Sequence, residues 1–330
     1  MAAIKPKCSI IIRAFNEEEH IGRLLTGIMQ QTIQPLEIIL VDSGSTDATV
    51  AIASRFPVRM VHIRPEDFTF GFSLNSGIDQ AESDLIVLAS AHVYPVYPDW
   101  LEKLLAPFEH EKVALSYGKQ RGLPTSDFSE NQIFLSWFPD VSTRKQSNPF
   151  CNNANAAIRR SLWEQHPYDE SLPGLEDLAW AQWAHDKGFD IAYVAEAEII
   201  HVHQQNNKGV YNRYLREAMA FKQIYPHAVF GLREFLRLWI SNTLVDLSAA
   251  QKSGRLKASW RSILSFRWNQ FTGTYQGYRQ YGDLTWKLKQ AFYYPGNGIN
   301  SSAKKTRDVT PIAYTERSMP GRQQEDRKEK

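Results

Sequence analysis

Two short segments near the start of the chain close apolar runs with polar groups. Ser9 to Arg13 leads into Ala14-Phe15-Asn16-Glu17-Glu18, and Glu37 to Val41 leads into Asp42-Ser43-Gly44-Ser45-Thr46-Asp47. A carboxylate at the second place could accept from a base imide N–H or from ribose hydroxyls, and Gly44 permits close approach. The same residues also read as a strand-to-helix turn with caps, and Glu17 to Glu19 suit a first helical turn, where the dipole favours acids. Glu176-Asp177 pairs two acids at a helix start. One of them could take a proton from an attacking hydroxyl, or both could serve the dipole. Asn152, Asn153 and Asn155 could hydrogen-bond sugar hydroxyls or satisfy a turn. Trp180 and Trp183 share a helix face; Trp180 is the candidate for stacking on a sugar, beside the ordinary reading of core packing.

The elements that must position these groups alternate along the first half. Apolar runs at Ser9 to Arg13, Glu37 to Val41, Val58 to Ile63, Leu85 to Ala89 and Val113 to Tyr117 read as strands. Ile21, Leu24, Leu25 and Ile28 mark a helix between the first two. Thr46 and Asp47 open another, in which Val50, Ala51 and Ala53 can face the core. Strands alternating with helices predict an α/β fold with a mainly parallel sheet, whose ligands sit beyond the C-terminal strand ends. Residues 122–150 read as a long irregular loop. Ala154 to Ile158 is predicted as a strand, Glu176 to Asp186 as a helix, and Ile191 to Val194 and Ile199 to Val202 as two short strands. From Lys208 the chain reads as helical, with Tyr211, Tyr214, Leu215, Ala218 and Phe221 on one face. Residues 296–330 are polar and aperiodic, which predicts disorder.

In this order the segments resemble the start of family 2 glycosyltransferases, which have the GT-A fold, and in particular bacterial polysaccharide and rhamnosyltransferase-like members. Phe70-Gly71-Phe72-Ser73-Leu74-Asn75-Ser76-Gly77 is similar to the family's segment before its fourth strand. Gly174-Leu175-Glu176-Asp177 is similar to its acidic motif, and Ile199-Ile200-His201-Val202-His203 to its late histidine motif. The resemblance covers roughly residues 8–205. It implies that Arg13, Ala14, Phe15, Glu17, Asp42, Ser43 and Asn75 hold a nucleotide. It further implies that Asp177, with Glu176 second, is the general base of an inverting transfer; Asn153, Asn155 and Trp180 are the candidates to meet the sugars. The family's Asp-x-Asp, which holds a divalent metal, is replaced here by Ser90-Ala91-His92. Imidazole binds Mn²⁺ or Zn²⁺ while serine binds poorly. Hence either His92, with His201 and His203 nearby, supports a divalent ion (Mn²⁺ or Mg²⁺ in the family), or cationic side chains replace it at the leaving diphosphate. Leu74 stands where many relatives have a basic residue.

The expected organisation is a GT-A domain over 1–207, a helical region over 208–295 and a tail over 296–330. With 330 residues, 43% of them apolar and 12% aromatic, a sizeable core is available. The two cysteines, Cys8 and Cys151, have no metal or redox spacing. No signal-like segment opens the chain, and the longest apolar stretch, Phe230 to Ala250, is broken by Arg233, Glu234, Arg237 and Asp246. These features predict a cytoplasmic protein, peripheral at most on the cytoplasmic face of the membrane. Residues 251–330 carry 16 Lys and Arg against 6 Asp and Glu, although the whole chain is at +2. That surplus suits an anionic membrane surface or polyanion, and a helical cap or oligomer contact is the other reading of the helical region. The expected partners are a nucleotide-sugar donor and a saccharide or lipid-linked acceptor, with no nucleic acid. A nucleotidyltransferase would show a Gly-rich phosphate loop with a downstream Lys, which is absent. A binding protein that kept the fold without its metal carboxylates is the remaining alternative.

Overall fold

Ile10, Ile11 and Ile12 are completely buried in succession, so both faces of the first strand are covered. That is the condition under which a β-branched run forms an interior strand of an α/β sheet. The computed structural model describes residues 6–34, 36–203, 206–279 and 309–314. In chain order the elements are β1 (Cys8–Ala14), α1 (Ile21–Met29), β2 (Leu36–Asp42), α2 (Thr49–Ala53), β3 (Arg59–His62), α3 (Phe70–Asp79), β4 (Leu85–Ser90), β5 (Val93–Pro95), α4 (Trp100–Leu105) and β6 (Val113–Arg121). There follow α5 (Phe128–Trp137), β7 (Asn155–Arg159), α6 (Arg160–Gln165), α7 (Glu176–Asp186), β8 (Asp190–His201), α8 (Asn207–Ile224), α9 (Leu232–Lys252) and α10 (Leu256–Arg279).

The strands form one eight-stranded sheet in the order β3-β2-β1-β4-β7-β6-β8-β5. β3, β2, β1 and β4 run parallel, as do β6 and β8. β7 is antiparallel to both β4 and β6, and β5 to β8. The sheet is thus more mixed than the alternating pattern predicts. Register sets Ala14 beside Asp42 and Arg13 beside Ser90, so three parallel strands end level along one rim. Side chains alternate between faces with the strand period of two. Ile10 and Ile12 meet Leu24 and Leu25 of α1 and Trp100 of α4 on one side. Ile11, Ile39 and Val41 meet Leu74 and Ile78 of α3 and Trp180 of α7 on the other. Leu74, the apolar stand-in for a basic residue, is therefore a core side chain.

The C-terminal helices are built onto this body. Ala218, Phe221, Leu238 and Phe271 share an apolar cluster with Leu178 of α7. On α10, Gly273 and Gly277 meet the backbone of α8 so closely that a Cβ would lie 2.4 Å from the Tyr211 carbonyl oxygen and 2.5 Å from that of Leu215. Of the face predicted on α8, Tyr214, Ala218 and Phe221 are buried while Tyr211 and Leu215 are half-buried.

Several expectations are corrected. α1 begins only at Ile21, so Glu17 to Glu19 precede the helix and are not its first turn. In α2 the core contacts are Thr49 and Ala53; Ala51 is exposed. The segment 122–150 holds α5, where Phe128 and Phe134 are buried although the helix has no clean apolar face. The two short strands after Ile191 are one strand, β8, with an irregular register opposite Gly118 to Gln120. Of residues 296–330, Val309 to Tyr314 pack on the body: Ile312 donates its N–H to the Val96 carbonyl at 2.9 Å, and Tyr314 donates its hydroxyl to that of Pro95. The rest of the expected disordered tail, and of the helical region after 279, lies outside the described residues.

Candidate active site

Beyond β1 and β2 the two polar segments bind each other. Asn16, in left-handed backbone (φ 55°), donates its N–H to Ser45 Oγ at 2.9 Å and accepts from the Thr46 N–H at 2.8 Å. The Glu17 N–H reaches Thr49 Oγ1 at 2.7 Å, and Glu18 Oε2 accepts from the Ala48 N–H at 2.9 Å. Gly44 has φ 89°, where an L side chain is strained, and its Cβ would meet Pro65 at 2.8 Å. Asp42 is buried and accepts the N–H groups of Gly44 and Ser45 at 3.2 Å. Ser43 Oγ is buried with no hydrogen-bond partner among the described residues, and Phe15 is 54% exposed. The Ala14 carbonyl accepts the Ser43 N–H at 3.0 Å, which locks the two strand ends together.

A second cluster lies at the start of α7. Leu175 is the other non-glycine residue in left-handed backbone (φ 56°) among those described, and it turns the chain into Glu176 and Asp177. Such conformations persist where surrounding structure enforces them, and both flank this site. Asp177 accepts the Asn153 N–H at 3.0 Å and the Leu178 N–H at 2.8 Å. Burial, then the charge of Glu176, raise its pKa to about 7. Glu176 is buried and lies 3.5 Å from Arg13 Nη1 and 3.5 Å from Asn153 Nδ2. The Arg13 and Arg216 guanidinium carbons stand 4.8 Å and 4.6 Å from the ring centroid of Phe70, so one aromatic ring carries two cations. Arg13 Nη1 and Arg216 Nε are buried donors without a hydrogen-bond partner, and burial lowers the Arg216 pKa.

The third cluster holds the histidines. His92 follows β4, His201 ends β8, and His203 lies two residues on; one ring nitrogen or other from each falls within 4.8 Å of the others. Each Nδ1 has an acceptor: Glu17 Oε1 at 2.7 Å from His92, Gln120 Oε1 at 2.7 Å from His201, and Glu130 Oε1 at 2.8 Å from His203. Arg213 Nη1 lies 3.0 Å from Glu130 Oε1 and 3.0 Å from His203 Nδ1, so Glu130 accepts both when Nδ1 carries the proton. A neutral ring whose Nδ1 carries the proton keeps its lone pair on Nε2, the nitrogen that can take a ligand. His201 Nε2 is buried with no partner. Burial first, then neighbouring rings and Arg213, push the pKa values of His201 and His203 well down, which keeps both neutral. The donor set fits an imidazole-favouring divalent ion.

Three expected site residues are structural. Asn75 accepts from Trp163 Nε1 at 2.9 Å and the Tyr168 N–H at 3.1 Å, and donates to the Tyr168 carbonyl at 2.9 Å and to Glu170 Oε1 at 2.8 Å. Its hydrogen-bonding capacity is consumed in tying α3 to the segment after α6. Asn155 is fully buried; it donates to the carbonyls of Lys119 and Ala197 and accepts from Trp100 Nε1 at 2.8 Å. Trp180 is 1% exposed and donates to the His166 carbonyl at 2.7 Å. Conversely, Phe70, Gln120, Glu130, Arg213 and Arg216 stand in the site without having been singled out for it. Nothing local marks Arg216 or Gln120, because their relation to the motifs is purely tertiary.

The sequence profile of the family described as Glycosyl transferase family 2 matches residues 9–166. The chain is 31% identical over 198 residues to the O-antigen chain rhamnosyltransferase WbaN of Salmonella anatum, covering 56% of this chain and 62% of that one. It thus spans somewhat less than two thirds of that relative. It is 28% identical over 223 residues to the O-antigen chain rhamnosyltransferase RfbN of Salmonella typhimurium, covering 63% and 70%. Among solved structures it resembles the mannosyltransferase PcManGT from Pyrobaculum calidifontis in complex with GDP-Man and Mn²⁺, with TM-score 0.58 and 17% identity over 82% of this chain and 86% of that one. S. aureus TarS in complex with UDP-GlcNAc gives TM-score 0.54 and 15% identity over 83% and 92%. These structural likenesses carry the GT-A fold. With the ordered motifs on the rim of this sheet, residues 9–166 carry the family 2 glycosyltransferase profile, and the chain is similar in sequence to O-antigen rhamnosyltransferases of that kind.

Proposed function

We propose that the chain transfers a sugar, with inversion, from a nucleotide-diphosphate-sugar to a hydroxyl of a saccharide or lipid-linked glycan, in the assembly of a cell-surface polysaccharide. The rhamnosyltransferase relatives make a deoxyhexosyl donor the first to try. The acceptor oxygen attacks the anomeric carbon, its proton passes to Asp177, and the bond to the diphosphate breaks to release the nucleoside diphosphate. Asp177 is the base and Glu176 is not, because Glu176 is buried against Arg13 while Asp177 is half-buried at the head of α7. The single observation that carries the reading is the acid pair at the head of α7, where Asp177 is held by the Asn153 and Leu178 N–H groups while Glu176 faces Arg13; the raised pKa of Asp177 suits a general base. Asp42 and the free Ser43 hydroxyl hold the nucleoside, with Phe15 facing the base. Arg13 and Arg216, the two cations on the Phe70 ring, would meet the diphosphate, and Asn153 positions Asp177. His92, His201 and His203 would hold a divalent ion, which would supply further positive charge to the leaving diphosphate.

The test is nucleotide release from a panel of UDP-, GDP- and dTDP-sugars, with and without Mn²⁺, for wild type and Asp177→Asn. Loss of a positioned base should cut turnover by roughly 10²–10⁴-fold with donor binding retained. Unchanged turnover removes Asp177 from the role. A second reading, a nucleotide-sugar-binding protein without turnover, draws on the lack of any carboxylate in Ser90-Ala91-His92. Binding of nucleotide without release from any donor would favour it.

A further inference from the structure

α9 and α10 carry an apolar surface that the donor site does not use. On α9, Leu232, Leu236, Ile240 and Leu244 are all exposed and spaced four apart. On α10, Trp260, Leu264 and Trp268 repeat that spacing and are also exposed. Trp268 lies 5.2 Å from Trp239 and 5.7 Å from Phe235 between ring centroids, so the α10 stripe reaches α9 beside the neighbours of Leu236 and Ile240. Contiguous exposure of this kind on a folded protein marks a contact surface.

The charge around the stripes says what covers them. Exposed Arg233, Lys252, Lys257 and Arg261 border them. The acids of these two helices are Glu234, paired with Arg237 at 2.6 Å, and Asp246, buried against Arg267 at 2.7 Å. An apolar and tryptophan-bearing face edged by cations, with no exposed carboxylate, complements an anionic lipid surface. A second copy would bring the same cations against themselves. The chain's own residues 280–308 are basic as well, with five Lys and Arg against two Asp. No helix among the described residues is long and apolar enough to cross a membrane, so the face would lie on the bilayer.

We propose that the α9–α10 face docks on an anionic membrane surface, seating Ile240, Leu244, Trp260 and Trp268 in the headgroup layer. The tryptophans suit that layer because one end of the indole is apolar and the other donates a hydrogen bond. The proposal stands apart from the donor chemistry and does not require turnover.

The experiment is flotation of the full chain with vesicles of phosphatidylcholine, with and without phosphatidylglycerol. The protein should float with the anionic vesicles, and high salt should release it. The double variant Ile240→Glu/Leu244→Glu should lower the bound fraction at low protein by about tenfold or more, with an unchanged melting temperature. Lys257→Glu/Arg261→Glu, which alters only exposed groups, should also weaken binding and flatten its salt dependence; it decides the matter should the first variant fold poorly. Wild-type protein that stays soluble with anionic vesicles overturns the proposal, as do variants that float like wild type. A wild-type dimer that the Ile240→Glu/Leu244→Glu variant loses, without flotation of either, assigns the face to a second copy and also overturns it.

Discussion

Burial and the neighbouring Glu176 charge both disfavour an ionised Asp177, with opposite consequences for activity and stability over one range of pH. The carboxyl is raised from an ordinary 3.8 to about 7 in the folded chain. Between those values the unfolded state has released the proton while the folded state still holds it. Folding is therefore linked to proton uptake, and the contribution of this group to stability falls as pH rises through the window. With Asp177 as the proposed base, activity should move the other way, because only the ionised form can accept a proton. Wild-type kcat/KM should thus climb toward neutral pH. Over the same range the melting temperature of wild type relative to Asp177→Asn should decline. A gap between the two that does not change with pH would show that the group titrates as an ordinary carboxylate. The acid pair itself was legible in the chain as two adjacent acids opening a helix. The resemblance already favours Asp177 over Glu176; what was not legible was the contact that occupies Glu176, since Arg13 reaches it only through the fold.

At the scale of elements, the C-terminal helices are held to α5 by a buried ion pair. Arg267 donates to both Asp246 oxygens, at 2.7 Å and 3.0 Å, and Ser129 of α5 donates to the same carboxylate at 2.5 Å. Removing one member of such a pair leaves an uncompensated charge in the interior. Asp246→Ala should cost about 3–5 kcal/mol, read from chemical denaturation. A loss below about 1 kcal/mol, the range of exposed pairs, would mean that solvent reaches Arg267. The strands β1, β2 and β4, and helix α7, follow from runs and caps visible in the sequence. α5 does not, because its burial comes from contacts on several sides and leaves no single apolar face to recognise. In β8, Glu196 and Glu198 alternate with buried residues, the period of a half-buried strand, so its continuity was legible although two strands were expected.

For the whole molecule, the histidine cluster is the feature that needs the most of the fold. His92 leaves β4, His201 and His203 follow from β8, and their supports come from the β1 loop, β6 and α5. A ligand that binds only the folded arrangement stabilises all of it, by about 2.7 kcal/mol at a hundredfold excess over its Kd. Zn²⁺ or Mn²⁺ should therefore raise the melting temperature more than Mg²⁺, which prefers oxygen ligands. His201→Ala should abolish the rise. No rise with either ion would leave the diphosphate to cationic side chains, Arg13 and Arg216 foremost.

The sequence by itself determined the α/β class, the rim segments at Arg13 to Glu18 and Asp42 to Asp47, the acid pair and the resemblance to family 2 glycosyltransferases. All of these rest on local signals: the period of apolar residues, caps, and motifs in a fixed order. Side-chain partners were decided only by the tertiary structure. Asn75, Asn155 and Trp180 have the chemistry of ligand-binding residues, yet their polar atoms are taken up by backbone and core groups distant in sequence. Arg216 and Gln120 have unremarkable neighbours in the chain and stand beside Phe70 and His201. Whether a polar side chain serves the core or the ligand depends on which donors and acceptors the packed chain leaves unsatisfied, and that is settled only when distant elements meet.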